Sequence, residues 1–527
     1  MKPTLSAPVL PVALLILFLP GCKKGTQVPE DTGEPGPVII EHCGEVSGSE
    51  IWQASATHIL TCDVTVTGAL ELEPGVQVYA DRDTTLLVQG GSLLALGSSE
   101  QGILMASHEG FPLAGDWVGL VGDEGDIQLS WVTLRHAGSE GALLQLDGGT
   151  ASLEQVFLSN GISSGLSSTG TSFDKIQTIE VAYVPTPLEL PWTAAQVLSG
   201  VFFQEVGTEA IILTEPTLTG DATLPEQDFP YLSEGVTVQG GGRLDVGAGA
   251  LLQMGGDIVV EDGSIIAYGD QIKGATIQAQ DAESGFTITI GAQAEAATFR
   301  YATIIGGIVH SDASSLYFND CVVSESPGTA LVITGGIQDG DPSNLEDNSF
   351  SGAGVGLLVD YDLLPAVGDN DYSGSSFDGV VLAGGEYSTD TTVTEWYGGQ
   401  VLVGGYIVLT GGVHTLSGGT LLFADGLSFT VSGGSLSADS MDFLHQAAVS
   451  GAWSGIDLRG GEASITGSTI SHAGLHGSAN ITVATDATIT GNTISYSAGW
   501  GILVQGDAEP TIGDNSYQNN ALGDVGP

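Results

Sequence analysis

The chain has 527 residues, of which 79 are glycine and 42% are hydrophobic. This hydrophobic content excludes a disordered chain, and the glycines lack the three-residue period of collagen. Only 10 lysine and arginine residues stand against 63 aspartate and glutamate residues, so the formal net charge is −53 at pH 7. Because phosphate recognition depends on basic side chains, this composition argues against nucleic acid as a partner.

The scarcity of lysine and arginine has two possible interpretations. One is adaptation to salty surroundings, where screening weakens the self-repulsion of the chain. The other is a set of dedicated calcium sites. A polyanionic glycan would be repelled unless divalent cations bridged it to the protein. We therefore expect no cofactor, with calcium as the one ion that the composition leaves open.

The first predicted segment is a leader over residues 1–21. One lysine precedes an apolar run over 9–19, which is too short to span a bilayer and is typical of a secretory signal. The run ends in the letters LPGC, which resemble the cleavage box of bacterial lipoproteins. That resemblance implies cleavage before Cys22, acylation of this cysteine and anchoring in membrane lipid. Lys23 matches the tendency of that family toward the outer membrane, on its periplasmic face or the cell surface.

The next segment, residues 22–40, is rich in proline and glycine and has no periodicity, which predicts a flexible tether. Cys43 and Cys62 lie close together in an exported chain, so we expect a disulfide that holds the first coil. Cys321 has no evident partner and alternates with apolar residues. This pattern predicts a buried free thiol in a strand.

Short strands are predicted beyond the tether. The stretch LELEPGVQVY, residues 70–79, alternates apolar and polar side chains with the two-residue period of a strand. No long segment outside the first twenty residues has the 3.6-residue period of a helix. The glycines then fit many tight turns between short strands, which predicts an all-β chain.

Self-comparison indicates one unit of about 170 residues that occurs three times. The motif GGSLLALG begins at Gly90, and its counterparts DGSIIAYG and GGSLSADS begin at Asp262 and Gly433. Proline-containing and polar stretches mark joints near 214–230 and 386–394. The predicted modules are 41–220, which includes an N-terminal cap, 221–393 and 394–527.

A shorter period runs inside these units. Asn348 and Asn370 are 22 residues apart, and Asn492 and Asn515 are 23 apart. Each asparagine is followed two residues later by an aromatic or aliphatic residue, which we expect to point inward. A repeat of this length suits one rung of a parallel β-helix, with three short strands and three turns. We expect the asparagines to adopt left-handed turns and to bond to neighbouring rungs.

These rungs and units resemble the right-handed parallel β-helix proteins of the pectin-lyase-like superfamily, above all the repeat-containing lipoproteins of Gram-negative bacteria. The resemblance covers roughly residues 50–525. It implies a right-handed parallel β-helix solenoid of three tandem modules. It implies little about activity, because that superfamily includes lyases, hydrolases, adhesins and proteins without known activity.

The enzymes of that superfamily use calcium-binding acids with an arginine base, or paired aspartates with an Arg–x–Lys element. This chain has no Arg–x–Lys, and its bases are too scattered to stabilise a uronate during elimination. The pairs Asp81/Asp83 and Asp369/Asp371 have the spacing for acid–base hydrolysis, but they lie in apparent turns, where aspartate is favoured for backbone reasons. The stretch 339–350 begins like a calcium loop, yet it lacks the required glycine and final glutamate.

One histidine raises the question of catalysis. His136 follows an arginine in the stretch VTLRHAGSEG, 19 residues after Trp117, and His472 lies 19 residues after Trp453. The second copy lacks the arginine, and the middle unit lacks the histidine. We therefore expect a structural corner in which the imidazole bonds to a turn carbonyl. His472 and His476 have a zinc-like spacing only on a helix, and a strand and a turn are expected there.

These observations predict a membrane-anchored, non-catalytic lipoprotein that acts as a surface scaffold or adhesin-like protein and binds glycan or other cell-surface components. No residue is assigned to catalysis. The alternative is a carbohydrate-active enzyme, a polysaccharide hydrolase or lyase. A groove with converging acids and exposed aromatics such as Trp396 and Tyr397 would favour the enzyme, whereas a uniform polar face would favour the scaffold.

Overall fold

The structure, a computed structural model, describes residues 38–527 apart from 282, 397 and 398. It is a parallel β-solenoid of about 21 turns, 55% strand and 4% helix. The predicted all-β parallel β-helix is therefore confirmed. The right-handed turn and the division into three modules stay predictions. The predicted leader and the acylated Cys22 lie outside the described residues, and the first strand begins at Val38, inside the predicted tether.

The first part of the solenoid contains long strands that pass around a corner and join two faces. Strand β10, for example, pairs with both β7 and β8. Bends within such strands connect faces without a separate loop. All strands of the first part are β1 (Val38–Val46), β2 (Ser49–Trp52), β3 (Ala56–Val66), β4 (Ala69–Leu72), β5 (Gln77–Ala80), β6 (Thr85–Gln89), β7 (Ser92–Leu96), β8 (Ile103–Ser107), β9 (Gly119–Asp123), β10 (Asp126–Arg135), β11 (Leu144–Asp147), β12 (Thr150–Ser159), β13 (Ser164–Thr169), β14 (Ser172–Ala182), β15 (Thr186–Leu190), β16 (Leu198–Gln204) and β17 (Ile211–Leu213).

The second part has three short strands in each turn, one on each of three faces. The three sheets continue from rung to rung in parallel register, so that each face is one row of strands. The strands are β18 (Thr217–Leu218), β19 (Asp221–Leu224), β20 (Tyr231–Ser233), β21 (Val236–Val238), β22 (Arg243–Val246), β23 (Leu251–Met254), β24 (Ile258–Val260), β25 (Ser264–Tyr268), β26 (Ala275–Ala279), β27 (Phe286–Ile290), β28 (Ala296–Arg300), β29 (Ala302–Ile305), β30 (Gly307–Ser311), β31 (Leu316–Asn319) and β32 (Val322–Ser324).

The third face changes beyond β31. Two of the following turns carry short 3-10 helices in place of a strand there, and two new sheets then begin at β38 and β39. The 3-10 helices of the described chain are Trp192–Val197, Gln338–Gly340, Pro342–Asn344, Tyr361–Ala366 and Leu475–Gly477. The strands of this transition are β33 (Thr329–Ile333), β34 (Ser349–Ser351), β35 (Val355–Val359), β36 (Asp371–Gly374) and β37 (Phe377–Leu382).

The last part again has three strands in most turns. One sheet of 14 strands, which we call the long sheet, runs from β18 through β37 to β55. The remaining strands are β38 (Gly385–Tyr387), β39 (Thr391–Val393), β40 (Gln400–Val403), β41 (Ile407–Leu409), β42 (Val413–Ser417), β43 (Thr420–Phe423), β44 (Ser428–Val431), β45 (Ser435–Asp439), β46 (Asp442–His445), β47 (Gly455–Leu458), β48 (Glu462–Thr466), β49 (Thr469–Ser471), β50 (Ala479–Val483), β51 (Ala487–Thr490), β52 (Thr493–Ser495), β53 (Trp500–Val504), β54 (Thr511–Gly513), β55 (Ser516–Gln518) and β56 (Gly523–Gly526).

Strand pairing continues across both predicted module joints. Strand β17 pairs with β20 across the first joint, and β37 pairs with β40 across the second. Residues 39–527 accordingly form one compact unit. The predicted joints therefore lie within continuous sheets, and strand pairing is not interrupted at either of them.

Single left-handed residues bend the chain at the corners. Trp131, Gln155, Thr178 and Gly200 have φ values of 53°, 54°, 55° and 67° and occupy equivalent positions on four successive rungs. A bend in the left-handed region turns the strand onto the next face without interrupting the parallel ladder. Side chains other than glycine adopt this conformation at a cost, which the ladders on both sides must offset.

The asparagine prediction is half right. Asn348 Nδ2 donates to Asn370 Oδ1 at 2.9 Å, and Asn492 Nδ2 donates to Asn515 Oδ1 at 3.0 Å, so the bonds between rungs are confirmed. The left-handed conformation is not found at these asparagines. It belongs to the preceding residue in three cases, Asp347, Gly491 and Asp514. The asparagine itself then points inward and pairs the backbone groups that the corner leaves open.

The residues two positions beyond the asparagines enter the core as predicted. Phe350 and Tyr372 are buried and stacked at 5.4 Å between ring centroids. Ile494 is also buried, whereas Tyr517 on the last rungs is half-exposed. Cys321 is a buried free thiol, as expected, but it precedes β32 rather than lying in a strand. Burial raises the pKa of its thiol to about 12.

Replacing Asn492 with alanine should destabilise the last rungs. Its amide binds the Ser468 N–H and the Ile465 carbonyl, both at 2.9 Å. Each buried group left unpaired costs roughly 1–3 kcal/mol. We expect a lower free energy of unfolding and faster hydrogen exchange at the Ser468 amide. Thr488→Ala, on the outer face of β51, is the control and should leave both unchanged; equal losses in the two variants would contradict this role.

The first rung contains a disulfide and a stack of three rings. Cys43 and Cys62 are joined by the disulfide, with their Cα atoms 4.9 Å apart. The Trp52 ring lies 4.0 Å from the His42 ring and 5.0 Å from the His58 ring. His58 Nε2 donates to a backbone carbonyl at 3.1 Å, so its Nδ1 accepts from His42 Nε2 at 2.8 Å. Burial lowers the pKa of both histidines.

This rung should loosen in acid. The lowered pKa values mean that the folded state favours the neutral imidazoles, with Glu50 at 3.8 Å from His42 as the facing carboxylate. The stabilisation is therefore complete above the unfolded pKa of 6.5 and is lost as pH falls below 6.5 through the lowered folded-state values. Hydrogen exchange of β1 and β2 should accelerate over this range. The double variant His42→Gln, His58→Gln should show no such step.

Candidate binding surface

His136 lies in a structural corner. Its backbone has φ 60°, and its N–H donates to the Ser159 carbonyl on the next rung at 3.1 Å. The indole N–H of Trp117 donates to the Arg135 carbonyl at 2.9 Å, and Trp117 is fully buried. The tryptophan therefore secures the turn through the backbone before the histidine. The imidazole is not what holds the corner.

The same contacts recur at Trp453 and His472. Trp453 donates to the Ser471 carbonyl at 2.9 Å, and the His472 N–H donates to the Ser495 carbonyl at 3.2 Å. The His472 ring stacks on Tyr496 at 4.9 Å. The corner prediction is confirmed, but the expected bond from imidazole to a turn carbonyl is wrong: His472 Nδ1 pairs with the Ser471 hydroxyl, and Nδ1 of the first histidine has no partner.

If residue 136 matters only because it adopts a left-handed backbone conformation, an asparagine at this position should be tolerated. Asn tolerates the left-handed region, whereas a β-branched residue is strained there by about 1–3 kcal/mol. We therefore expect His136→Asn to retain the melting temperature and His136→Val to lower it in thermal unfolding. A comparable loss in both variants would show that the imidazole itself is needed.

The two carboxylate pairs have separate surroundings. Asp81 Oδ1 accepts from His108 Nδ1 at 2.7 Å, while Asp83 is a left-handed turn residue at φ 57°. Asp369 and Asp371 line an open depression of about 410 Å³ together with Asp347. Asp371 is the first residue of β36 and binds the Ser373 N–H at 3.0 Å. Each pair thus has a local hydrogen-bonding role.

The remaining sequence candidates are also placed. Phe350, at the end of the calcium-like stretch, is in the core. His476 lies in a 3-10 turn, so it shares no helical face with His472. Within residues 38–527, gaps excepted, no three His, Cys, Asp or Glu side chains are grouped to hold a metal. Trp396 is half-buried and donates to the Ser417 carbonyl at 2.8 Å, and Tyr397 lies outside the described residues.

An apolar row on the outer face of the long sheet is the feature that the sequence analysis missed. We call it the aliphatic stripe. Its members occupy one register position on six successive rungs and alternate with core residues along their strands. The stripe consists of Val332, Leu358, Val381, Leu402, Leu422 and Leu444. Five rung steps give it a length of about 24 Å.

The side chains of the stripe face outward. All are partly exposed except Val381, which is 7% exposed and lies outside the continuous hydrophobic core. Strands with one solvent-exposed face normally alternate apolar and polar residues. Near-continuous apolar runs are typical of strands that are covered on both faces. The runs LLV, VVL and VLV in β35, β37 and β40 are of the second kind. This signal was present in the sequence, but without the register it could not be assembled into a row.

The stripe lies in an acidic environment. The sequence has no lysine or arginine between Arg300 and Arg459, a stretch that contains the whole stripe. Asp442 lies two residues before Leu444 on β46, and Asp360 directly follows β35. Burial, and then the neighbouring Asp362, raise the pKa of Asp360. The surface therefore combines apolar contact with negative potential.

A second row forms a groove on another sheet. Glu462, Asp486 and Glu509 are stacked on adjacent rungs and line an open groove of about 440 Å³. The Asp486 side chain accepts the Glu509 N–H at 2.8 Å. Serine and threonine residues of β45, β48, β51 and β54 line the groove as well, together with Leu436, Ala463 and Ala487. The groove contains converging acids but no aromatic side chain among its lining residues.

Comparisons of the chain with protein-family models, curated proteins and solved structures find no match. The resemblance to the pectin-lyase-like superfamily and its lipoproteins therefore stays a prediction beyond the parallel β-helix itself. Among the described residues, no helix has the length and apolar character to span a bilayer.

Proposed function

We propose that this protein is a membrane-anchored, non-catalytic β-helix lipoprotein that acts as a surface scaffold or adhesin-like protein. The aliphatic stripe is the observation that carries the proposal. It offers a straight apolar row on a rigid sheet, and such rows on soluble proteins mark interaction surfaces. The leader pattern and Cys22 support an anchor in the outer membrane, which would hold this row outside the lipid.

The chemistry of the stripe selects its partner. Apolar contacts along about 24 Å match one face of a helix of roughly 16 residues. The surrounding carboxylates favour lysine or arginine beside that apolar face and repel anionic surfaces. The proposed partner is therefore a basic amphipathic segment of another cell-surface protein.

A synthetic 16-residue helix with leucine on one face and lysine on the other tests this surface. The full chain should bind it more tightly than a scrambled peptide of equal composition, as measured by fluorescence anisotropy. Leu402→Asp and Leu422→Asp should each weaken binding roughly tenfold, through loss of apolar contact worth about 1.4 kcal/mol. Both substitutions add negative charge, so simple attraction of the basic peptide would change in the opposite direction.

Val408→Asp is the matched control. Val408 is a half-buried, outward-facing valine on β41, which belongs to a different sheet. This variant should bind the peptide as the unmodified chain does. Equal weakening by all three aspartate variants, or no preference for the amphipathic peptide, would contradict the role of the stripe.

The carboxylate groove favours a second candidate, a carbohydrate-active enzyme. Glycoside hydrolysis needs a pair of neighbouring carboxyl groups, and the acids stacked on adjacent rungs of the groove offer such pairs. If the groove is catalytic, the full chain should release reducing or unsaturated ends from one of a panel of neutral and uronate polysaccharides, with or without calcium. Glu462→Gln and Asp486→Asn should then abolish release, while Asp442→Asn, outside the groove, should not. Absence of product with every polysaccharide would count against this candidate.

A further inference from the structure

A cluster of tyrosines surrounds Arg300 on the five-stranded sheet of the second part. In register, Tyr268 on β25 lies beside Arg300 on β28, and Asn319 on β31 follows on the next rung. Tyr317 lies two residues before Asn319 and points to the same outer face. Tyr301 comes directly after the arginine in the left-handed conformation, at φ 48°. The neighbouring rungs therefore bring two aromatic rings against one guanidinium, with the Tyr317 ring on the same face.

The guanidinium packs against two of these rings and forms a longer ion pair with one carboxylate. Its central carbon lies 5.1 Å from the Tyr301 ring centroid and 6.0 Å from that of Tyr268. The nearest acid is Asp320, whose Oδ2 is 3.8 Å from Arg300 Nε. That Nε is buried and has no hydrogen-bond partner. Gln271 adds an amide at the edge, with its Nε2 donating to the Tyr301 hydroxyl at 3.4 Å.

Four other basic residues of the described chain have shorter carboxylate contacts than Arg300 has. Lys175, Arg243, Lys273 and Arg459 each lie within 2.8 Å of a carboxylate oxygen. Those contacts satisfy the cation in a chain crowded with acids. The Arg300 side chain has only this longer carboxylate contact and stays 37% exposed beside an exposed ring, since Tyr268 is 48% exposed. The exposed part of this guanidinium, next to an exposed ring, is accessible to a ligand.

We propose that Tyr268, Arg300, Tyr301 and Tyr317 form a saccharide-binding site for neutral glycans. A pyranose presents an apolar C–H face, which packs on an aromatic ring, and a rim of hydroxyls that both donate and accept hydrogen bonds. The guanidinium and the Gln271 amide supply donors, and Asp320 supplies an acceptor. The adjacent acid and the net charge of −53 disfavour polyanionic glycans.

This inference goes beyond the proposed function and does not depend on the aliphatic stripe. The site is on the sheet formed by β19, β22, β25, β28 and β31, whereas the stripe is on the long sheet. The ligand chemistry also differs, because the stripe selects a basic apolar segment and the tyrosine cluster selects a neutral sugar. Variants of one surface should therefore leave binding at the other unchanged.

Affinity electrophoresis of the full chain in native gels that contain neutral polysaccharides, such as a glucan, a mannan and a galactan, tests the site. We expect retardation by at least one of them and none by polyuronate. Tyr268→Ser and Arg300→Lys should weaken binding roughly tenfold, because they remove the ring and the planar guanidinium. Tyr268→Phe keeps the ring and should retain most of the affinity.

Arg459→Lys provides the matched control. Arg459 is an exposed arginine held by Asp457 and has no tyrosine contact in the described structure. It should bind the polysaccharide as the unmodified chain does, and all variants should melt at the same temperature. No retardation by any neutral polysaccharide, or equal retardation of Tyr268→Ser, would overturn the inference. In either case binding of the leucine–lysine peptide would still report on the stripe, so the two proposals can fail separately.

Discussion

The hydrogen bond from one rung to the next is the interaction on which this structure depends. A single rung cannot bury its own apolar side chains, and it becomes stable only when neighbours cover it above and below. The ladder must therefore continue through the corners, where the chain changes direction. His136, Asn160 and Tyr183 all have left-handed backbones, and each donates its N–H to a carbonyl on the following rung. The corner is defined by backbone geometry, and the ladder offsets its conformational cost.

This constraint explains why a histidine with the surroundings of an active-site residue recurs without its chemical partners. The positions stacked on His136 are asparagine, tyrosine and glutamate, which share a backbone conformation and no chemistry. What the two tryptophan corners have in common is the indole bond to the carbonyl before the histidine. Selection for a stable turn is sufficient to retain Trp117 and Trp453 with a residue that tolerates positive φ.

The repeat of single rungs can be recognised in the sequence, but the register that aligns one rung with the next cannot. This difference decides which features could be predicted. The asparagine spacing and the inward residues such as Phe350 follow from local periodicity, so the parallel β-helix was accessible. Adjacent rungs, however, differ in length: paired residues are 20 apart at Val401 and Leu421 but 30 apart at Ile258 and Ile288. A row on one face therefore combines residues at irregular separations. The aliphatic stripe and the cluster around Arg300 became visible only with the pairing of strands.

The distribution of charge gives these rows different chemistry. Because the chain has so few basic residues, the position of each one matters. Most of them form ion pairs with carboxylates on the same or a nearby rung. Arg300 has a longer carboxylate contact, at 3.8 Å, and packs against two aromatic rings. The stretch beyond it has no lysine or arginine as far as Arg459. One face of the solenoid therefore offers a guanidinium among tyrosines, and another offers an apolar row in negative potential. A rigid ladder keeps these faces at fixed positions, so one molecule can present two unlike surfaces without either disturbing the other.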